Sequence, residues 1–288
     1  MTDIKQITDP VAVHGEGPVW SPSWGGLRWV DQMTGDVLAL DPASAEVSRF
    51  HVGDVAAAIR PRTGGGMIVA LERSFALWDN DAGPSRTFPD LWDDPTVRLN
   101  EGGCDPQGRF YCGSMAYDYE NRRGCGTLLR LDPDGSIETV LDHVSISNGI
   151  AWAPDGSTVY YIDSNTLRVD AFDFDPDRGR FANRRTVVEI RSGAATPDGM
   201  TVDAEGFLWV ALWDGGAVHR YSPAGRLDGI IELPTRRVTA CTFGGVALDE
   251  LYVTTSRYGI EDSAEPAAGA LFRVRTGISG LPVVPFAG

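Results

Sequence analysis

Residues 196–225 read TPDGMTVDAEGFLWVALWDGGAVHRYSPAG. Short apolar runs of strand length alternate here with separators such as DAEG (203–206) and SPAG (222–225), in which Pro presets φ and Gly accepts φ > 0. No 3.6-residue apolar period runs through a dozen residues, so the stretch is a set of antiparallel strands joined by tight turns. The same grammar holds from end to end. The run LWVA has counterparts in RWVD, MIVA, FYCG, YYID and LYVT, which place Trp29, Ile68, Tyr111, Tyr161, Trp209 and Tyr252 in equivalent registers. These residues stand 39 to 50 positions apart, the period of a four-stranded propeller blade.

Each copy has the same four parts. A first strand leads through a turn such as SPSWGG, DPQG, APDG or DAEG into the aligned strand. A third strand follows, such as GTLLRLDPDG or GAVHRYSPAG, and then a more polar fourth, such as EVSRFHV or RRTVVEI. Six copies predict an all-β six-bladed β-propeller, a single domain over residues 1–288 with no linker left over. Closure is expected to join the DIKQIT segment to the last blade.

Composition agrees with a globular chain and narrows its partners. The 288 residues are 42% hydrophobic and 23% charged, enough to bury a core without disulfides. A formal charge of −15 would repel a phosphate backbone or an anionic bilayer, so nucleic acid and membrane are poor partners. No apolar stretch approaches the roughly 20 residues of a spanning helix, and MTDIKQITDP has no signal-peptide apolar region. The expectation is a cytoplasmic monomer or weak oligomer, with Cys104, Cys112, Cys125 and Cys241 as free thiols because no CxxC pair occurs.

In a propeller the first strand of every blade lines the central channel, so equivalent positions on those strands face one another. Counting back 11 or 13 residues from the aligned positions reaches Glu16, Ala57, Asn100, Asn148, Asp198 and Cys241. The longer count goes with Glu16 and Asn148, whose turns SPSWGG and APDGST look longer. Carboxylates and amide oxygens converging in a channel would repel or stay unpaired unless a cation joined them. Glu16 and Asp198 supply two negative charges and Asn148 a neutral oxygen, which suits one divalent ion such as Ca²⁺, Mn²⁺ or Zn²⁺. Three protein ligands leave coordination positions open, as in catalytic rather than structural sites.

The motifs GEGPVW, RLNEGG, ISNGIAW, TPDGMTVDAEGFLWVA, CTFGG and the closing FAG, with the span from FDFD to NRR, resemble the senescence-marker-protein/gluconolactonase family of regucalcin-like sugar lactonases. That resemblance runs from about residue 14 to the C-terminus. It implies one divalent metal in the channel of a six-bladed propeller, and hydrolysis of sugar lactones. It makes Glu16, Asn148 and Asp198 the metal ligands, Asp198 also the general base, and Arg98 and Asn100 the holders of sugar hydroxyls. Glu101 stands where the family's motif usually has Asp, and Asp118 in MAYD where regucalcin-like members carry a substrate-contacting Glu.

A lactone is an ester, and its hydrolysis needs an electrophile on the carbonyl oxygen, an activated water and a proton acceptor. A metal with a carboxylate meets all three, and Arg98 adds a donor fork. GxSxG is absent and only His14, His51, His143 and His219 are available for a triad, so a covalent nucleophile is disfavoured. His14 and Glu16 share a strand face, yet a hydrogen-bonded His at the strand entry is the plainer reading. DFDPDRG (173–179) mimics an EF-hand start, but its Gly is one position late and Arg184 stands where Glu is needed. Three rival functions use parts of the same pattern. They are a calcium-binding regulator without turnover, a propeller esterase or phosphotriesterase, and a protein-interaction propeller.

Overall fold

In the computed structural model, which describes residues 3–191, 193–261 and 264–288, the turn-bounded runs become strands. The first blade shows the pattern: Gly15–Ser21, Gly26–Asp31, Asp36–Leu40 and Val47–His51 pair consecutively and antiparallel. Six such four-stranded sheets form among the described residues. Their inner strands are Gly15–Ser21, Ala58–Pro61, Val97–Cys104, Ser147–Trp152, Thr196–Val202 and Val238–Gly244. Each inner strand touches the next and the last touches the first, so the sheets close into a ring. The chain is a six-bladed β-propeller.

Closure uses both ends of the chain. Asp3–Gln6 pairs with Phe272–Arg275 as the outermost strand of the sixth blade, so ladder hydrogen bonds tie the N-terminal segment to the last repeat. The C-terminal tail then runs across the turns that join inner to second strands. Gly280 N–H donates to the Leu248 carbonyl, Phe286 N–H to Pro61 and Ala287 N–H to Gly108. Phe286 is buried with Phe75 and Phe110, which meet edge to face at 5.7 Å. Burying one such ring contributes roughly 1.5–3 kcal/mol.

The apolar content of the second strands follows from this arrangement. MIVA and LWVA are covered on both faces by neighbouring blades, so their residues are apolar throughout rather than alternating. Between the fifth and sixth blades Trp209 meets Phe243 edge to face at 5.5 Å. The Asp of the DAEG turn, Asp203, is fully buried. It accepts from Glu205 N, Phe207 N, Trp209 Nε1 and the Arg220 guanidinium.

The DFDPDRG segment is a hairpin turn, with Asp175 Oδ1 accepting from Asp177 N and Arg178 N. Cys104, Cys112, Cys125 and Cys241 are free thiols. No helix among the described residues is long and apolar enough to cross a membrane.

Candidate metal and substrate site

The inner strands of blades one, three, four, five and six each break register near the same level of the channel. A bulge places an extra residue opposite one partner and redirects its side chain. Gly17 and Pro18 stand in the first bulge, directly after the paired Glu16, with Asn100 and Glu101 in the third blade's, Asn148 and Gly149 in the fourth's, and Asp198 and Gly199 in the fifth's. The glycines permit close approach of blade to blade. A Cβ on Gly149 would lie 2.7 Å from Met200 Cβ and 2.9 Å from the Asp198 carbonyl, and one on Gly199 would lie 2.4 Å from Ala240 Cβ.

The sixth blade corrects the count. Thr239, not Cys241, sits in its bulge, between the pairs Val238↔Thr255 and Ala240↔Thr254. Its hairpin ladder is longer on both strands, so the 13-residue spacing applies there too. Cys241 instead packs between blades and donates to the Trp209 carbonyl at 3.6 Å. Turn length also fails to explain the longer count at Glu16: only residues 22–25 separate the pair Ser21↔Gly26, and the ladder makes up the difference.

A ring of side-chain donors holds the backbone just before each expected ligand. Thr239 Oγ1 donates to the Gly15 carbonyl at 2.6 Å, Asn100 Nδ2 to Ser147 at 2.7 Å, and Ser164 Oγ to Pro197 at 2.6 Å. Two further clamps seat the strand entries. Asp31 accepts from Val13 N and His14 N, and Asp163 accepts from Ser145 N and Ile146 N, each bond between 2.8 and 3.0 Å. Those aspartates end the runs RWVD and YYID, a shared feature of the Glu16 and Asn148 copies that could have marked them. Thr239 and Ser164 carry no such signal, because hydroxyl residues recur throughout strands and turns.

Glu16, Asn148, Asp198, Arg98, Asn100 and Glu101 are all buried. Burial pushes Glu16 and Asp198 well above the usual carboxylate range. The neighbouring Glu101 charge adds to both, and Glu16 adds further to Asp198. Burial raises Glu101 to about 7 although Arg60 draws it down, and Glu101 Oε2 has no hydrogen-bond partner. Asn148 Nδ2 donates to Ser164 Oγ at 2.8 Å, which turns its Oδ1 toward Asn100, whose Nδ2 donates to it at 3.3 Å. Arg98 Nη1 donates to Asn100 Oδ1 at 2.7 Å and to the Leu99 carbonyl, while its buried Nε stays unpartnered.

Asp118 lies outside this buried group. It is in an exposed turn, accepting from Asn121 Nδ2 at 2.9 and 3.1 Å. Next to it Tyr117 covers Arg98, whose guanidinium carbon lies 5.7 Å from the ring centre. On the opposite wall His14 approaches Glu16, Nε2 to Oε1 at 3.8 Å, and burial with the nearby Arg98 and Arg237 charges lowers it to about 3.

The donor set has the chemistry of a divalent cation site. Two buried acids whose charges oppose each other, with an amide oxygen beside them, are stabilised by a cation and destabilised without one. Among the described residues no three His, Cys, Asp or Glu side chains group as a metal centre, so the set is two carboxylates and an amide, with no thiolate.

Residues 14–257 match the model of the SMP-30/gluconolactonase/LRE-like region. Regucalcin of Xenopus laevis is 36% identical over 284 residues, covering 95% of each chain. A luciferin-regenerating enzyme structure superposes with a TM-score of 0.91 at 29% identity, covering all of both chains. The calcium-binding protein regucalcin of Agrobacterium tumefaciens superposes with a TM-score of 0.93 at 24% identity, covering 100% of this chain and 98% of that one. With its repeat, its closed ring and its matched span in agreement, the chain belongs to the SMP-30/gluconolactonase/LRE-like family.

Proposed function

We propose that the protein is a metal-dependent hydrolase that opens sugar lactones to aldonic acids. The observation that carries this reading is the buried set Glu16, Asn148 and Asp198 standing beside an Arg98 with an unpartnered Nε. Those three residues would hold the cation, which when bound supplies Lewis acidity toward a carbonyl oxygen and a coordinated water. Asp198 takes the attacking water's proton. The water oxygen adds to the carbonyl carbon, the ring C–O bond breaks, and the ring oxygen leaves as an alcohol carrying that proton. Arg98, Asn100 and Glu101 contact substrate oxygens, and Asp118, in its exposed turn, contacts substrate from the rim. Calcium, zinc and manganese all suit such oxygen donors.

Relatives named regucalcin favour a second reading, cation binding without turnover. The metal alone does not require Arg98 and Asn100, so their place beside it supports an enzyme. The test is base consumption against a panel of aldonolactones, in chelator and with calcium, zinc or manganese added back. Metal-dependent proton release is expected. Cation binding by calorimetry with no proton release from any lactone would favour the second reading.

A further inference from the structure

His14 is locked in place with one nitrogen left over. Its Nδ1 lies 2.8 Å from Ser256 Oγ, which also receives Tyr258 N–H at 3.1 Å. Trp213 and Tyr258 meet the imidazole edge to face, with ring centres at 5.6 and 5.9 Å. Its backbone N–H is held by Asp31. A histidine kept only to fill the strand entry would satisfy both ring nitrogens or bury them. Here Nε2 has no hydrogen bond among the described residues, and the side chain keeps 11% of its surface exposed. Nε2 points toward Glu16, 3.8 Å from its Oε1, too far for a hydrogen bond.

The surroundings say what would pair with it. Tyr117 covers Arg98 at 5.7 Å and Tyr258 meets the His14 ring at 5.9 Å, and the two tyrosines are 40% and 50% exposed. Aromatic rings of Trp213, Tyr258 and Tyr117 thus stand next to the polar groups of His14, Glu16 and Arg98, a combination that fits a flat, hydroxylated ring. Either tautomer of a neutral imidazole leaves Nε2 as one donor or one acceptor, and a hydroxyl is the small group that answers both. The carboxylate beside Nε2 belongs to the group that would hold the cation over the carbonyl. A hydroxyl reaching Nε2 is then one attached close to that carbonyl.

We infer that His14 Nε2 hydrogen-bonds the hydroxyl on the carbon next to the lactone carbonyl, making His14 a specificity-determining residue for 2-hydroxy-lactones. Ser256, Trp213 and Tyr258 act through it as positioning residues. This rests on the lactonase reading above, but its test separates the two.

The experiment compares an aldono-δ-lactone with its 2-deoxy counterpart in wild type, His14→Phe and His14→Gln, all metal-loaded. A site built to bond a substrate hydroxyl penalises an analogue lacking it, because its own polar group is left unpaired. His14→Phe should lose about 10- to 100-fold in kcat/KM on the hydroxylated lactone and no more than about 3-fold on the 2-deoxy one. His14→Gln should recover part of the difference. Calorimetric affinity for calcium should be unchanged in both variants.

Equal losses on both substrates, or loss of calcium affinity, would show that His14 acts on Glu16 or on the fold and would overturn the inference. No loss on either substrate would overturn it too. If the wild type turns over no lactone, the lactonase reading fails. Binding of the two aldonic acids, with and without the 2-hydroxyl, then decides the role of His14: a hydroxyl preference that His14→Phe abolishes supports it, and its absence overturns it.

Discussion

Asp198 and Arg98 occupy the same small volume, yet their physics differs. Asp198 is a buried acid pushed up by burial and by the Glu16 and Glu101 charges, so it gains most from a cation and is placed to accept a proton. Asp198→Ala should cut lactone hydrolysis by about 10²–10⁴-fold, the usual cost of a lost general base, and weaken metal binding as well. Arg98 touches Asn100 and Leu99 through Nη1, and its buried Nε has no hydrogen-bond partner. Arg98→Ala should lower kcat/KM while calorimetric metal affinity stays close to wild type. If metal titration finds Arg98→Ala as deficient as Glu16→Ala, the division of roles between them is wrong.

The inner strands carry the site because their bulges turn neighbouring residues into the channel, and the blades can interlock only where glycine stands. Gly149, between two expected ligand strands, shows why. Its added Cβ would meet Met200 N at 2.8 Å and the Asp198 carbonyl at 2.9 Å, both backbone atoms that cannot rotate away. Gly149→Ala should force blades four and five apart at the level of Asn148 and Asp198. Overpacking of this kind typically costs about 1–3 kcal/mol. The expected outcome is a lowered unfolding midpoint together with weakened metal binding. A variant with both properties intact would show that the inter-blade contact does not hold the ligand strands in place.

For the whole molecule, the unpaired negative charge in the channel is a stability term that pH and metal control. Glu101 rises from 4.5 to about 7, and Glu16 and Asp198 are raised well above the usual range by burial and by neighbouring carboxylates, Glu101 for both and Glu16 for Asp198. The folded state therefore holds protons that the unfolded chain has released, and stability falls as pH rises through the folded values. His14 and His219 are lowered by burial and act in the opposite sense, but only below their unfolded value of 6.5. Above about pH 6.5 the acids dominate, at roughly 1 kcal/mol per pH unit for each retained proton. In chelator, the melting temperature should fall between about pH 6.5 and 8, and a saturating divalent cation should remove the fall. A flat or rising melting temperature in chelator across that interval would contradict the charge balance drawn here.

The architecture was legible in the sequence, and so were the strands on which the candidate site residues stand. Strand length, turn chemistry and a repeat of 39 to 50 residues are properties of neighbouring residues, so the six blades could be read from LWVA and its counterparts. The same register picked out Asn148 and Asp198, which stand in bulges, and Glu16, which directly precedes one. Contacts between residues distant in sequence could be read only from the folded chain. A longer ladder in the sixth blade shifted its channel position from Cys241 to Thr239, a change that no local pattern marks. Ring closure depends on Asp3–Gln6 meeting Phe272–Arg275, at the two ends of the chain. Asp118 lies in an exposed turn because the chain leaves the channel level after Ala116, which a motif position does not reveal. Ser256, Trp213 and Tyr258 converge on His14 from the last two blades. Spacing along a chain encodes which strand a residue occupies; which residues meet across a closed ring depends on ladder lengths and bulges summed over every blade.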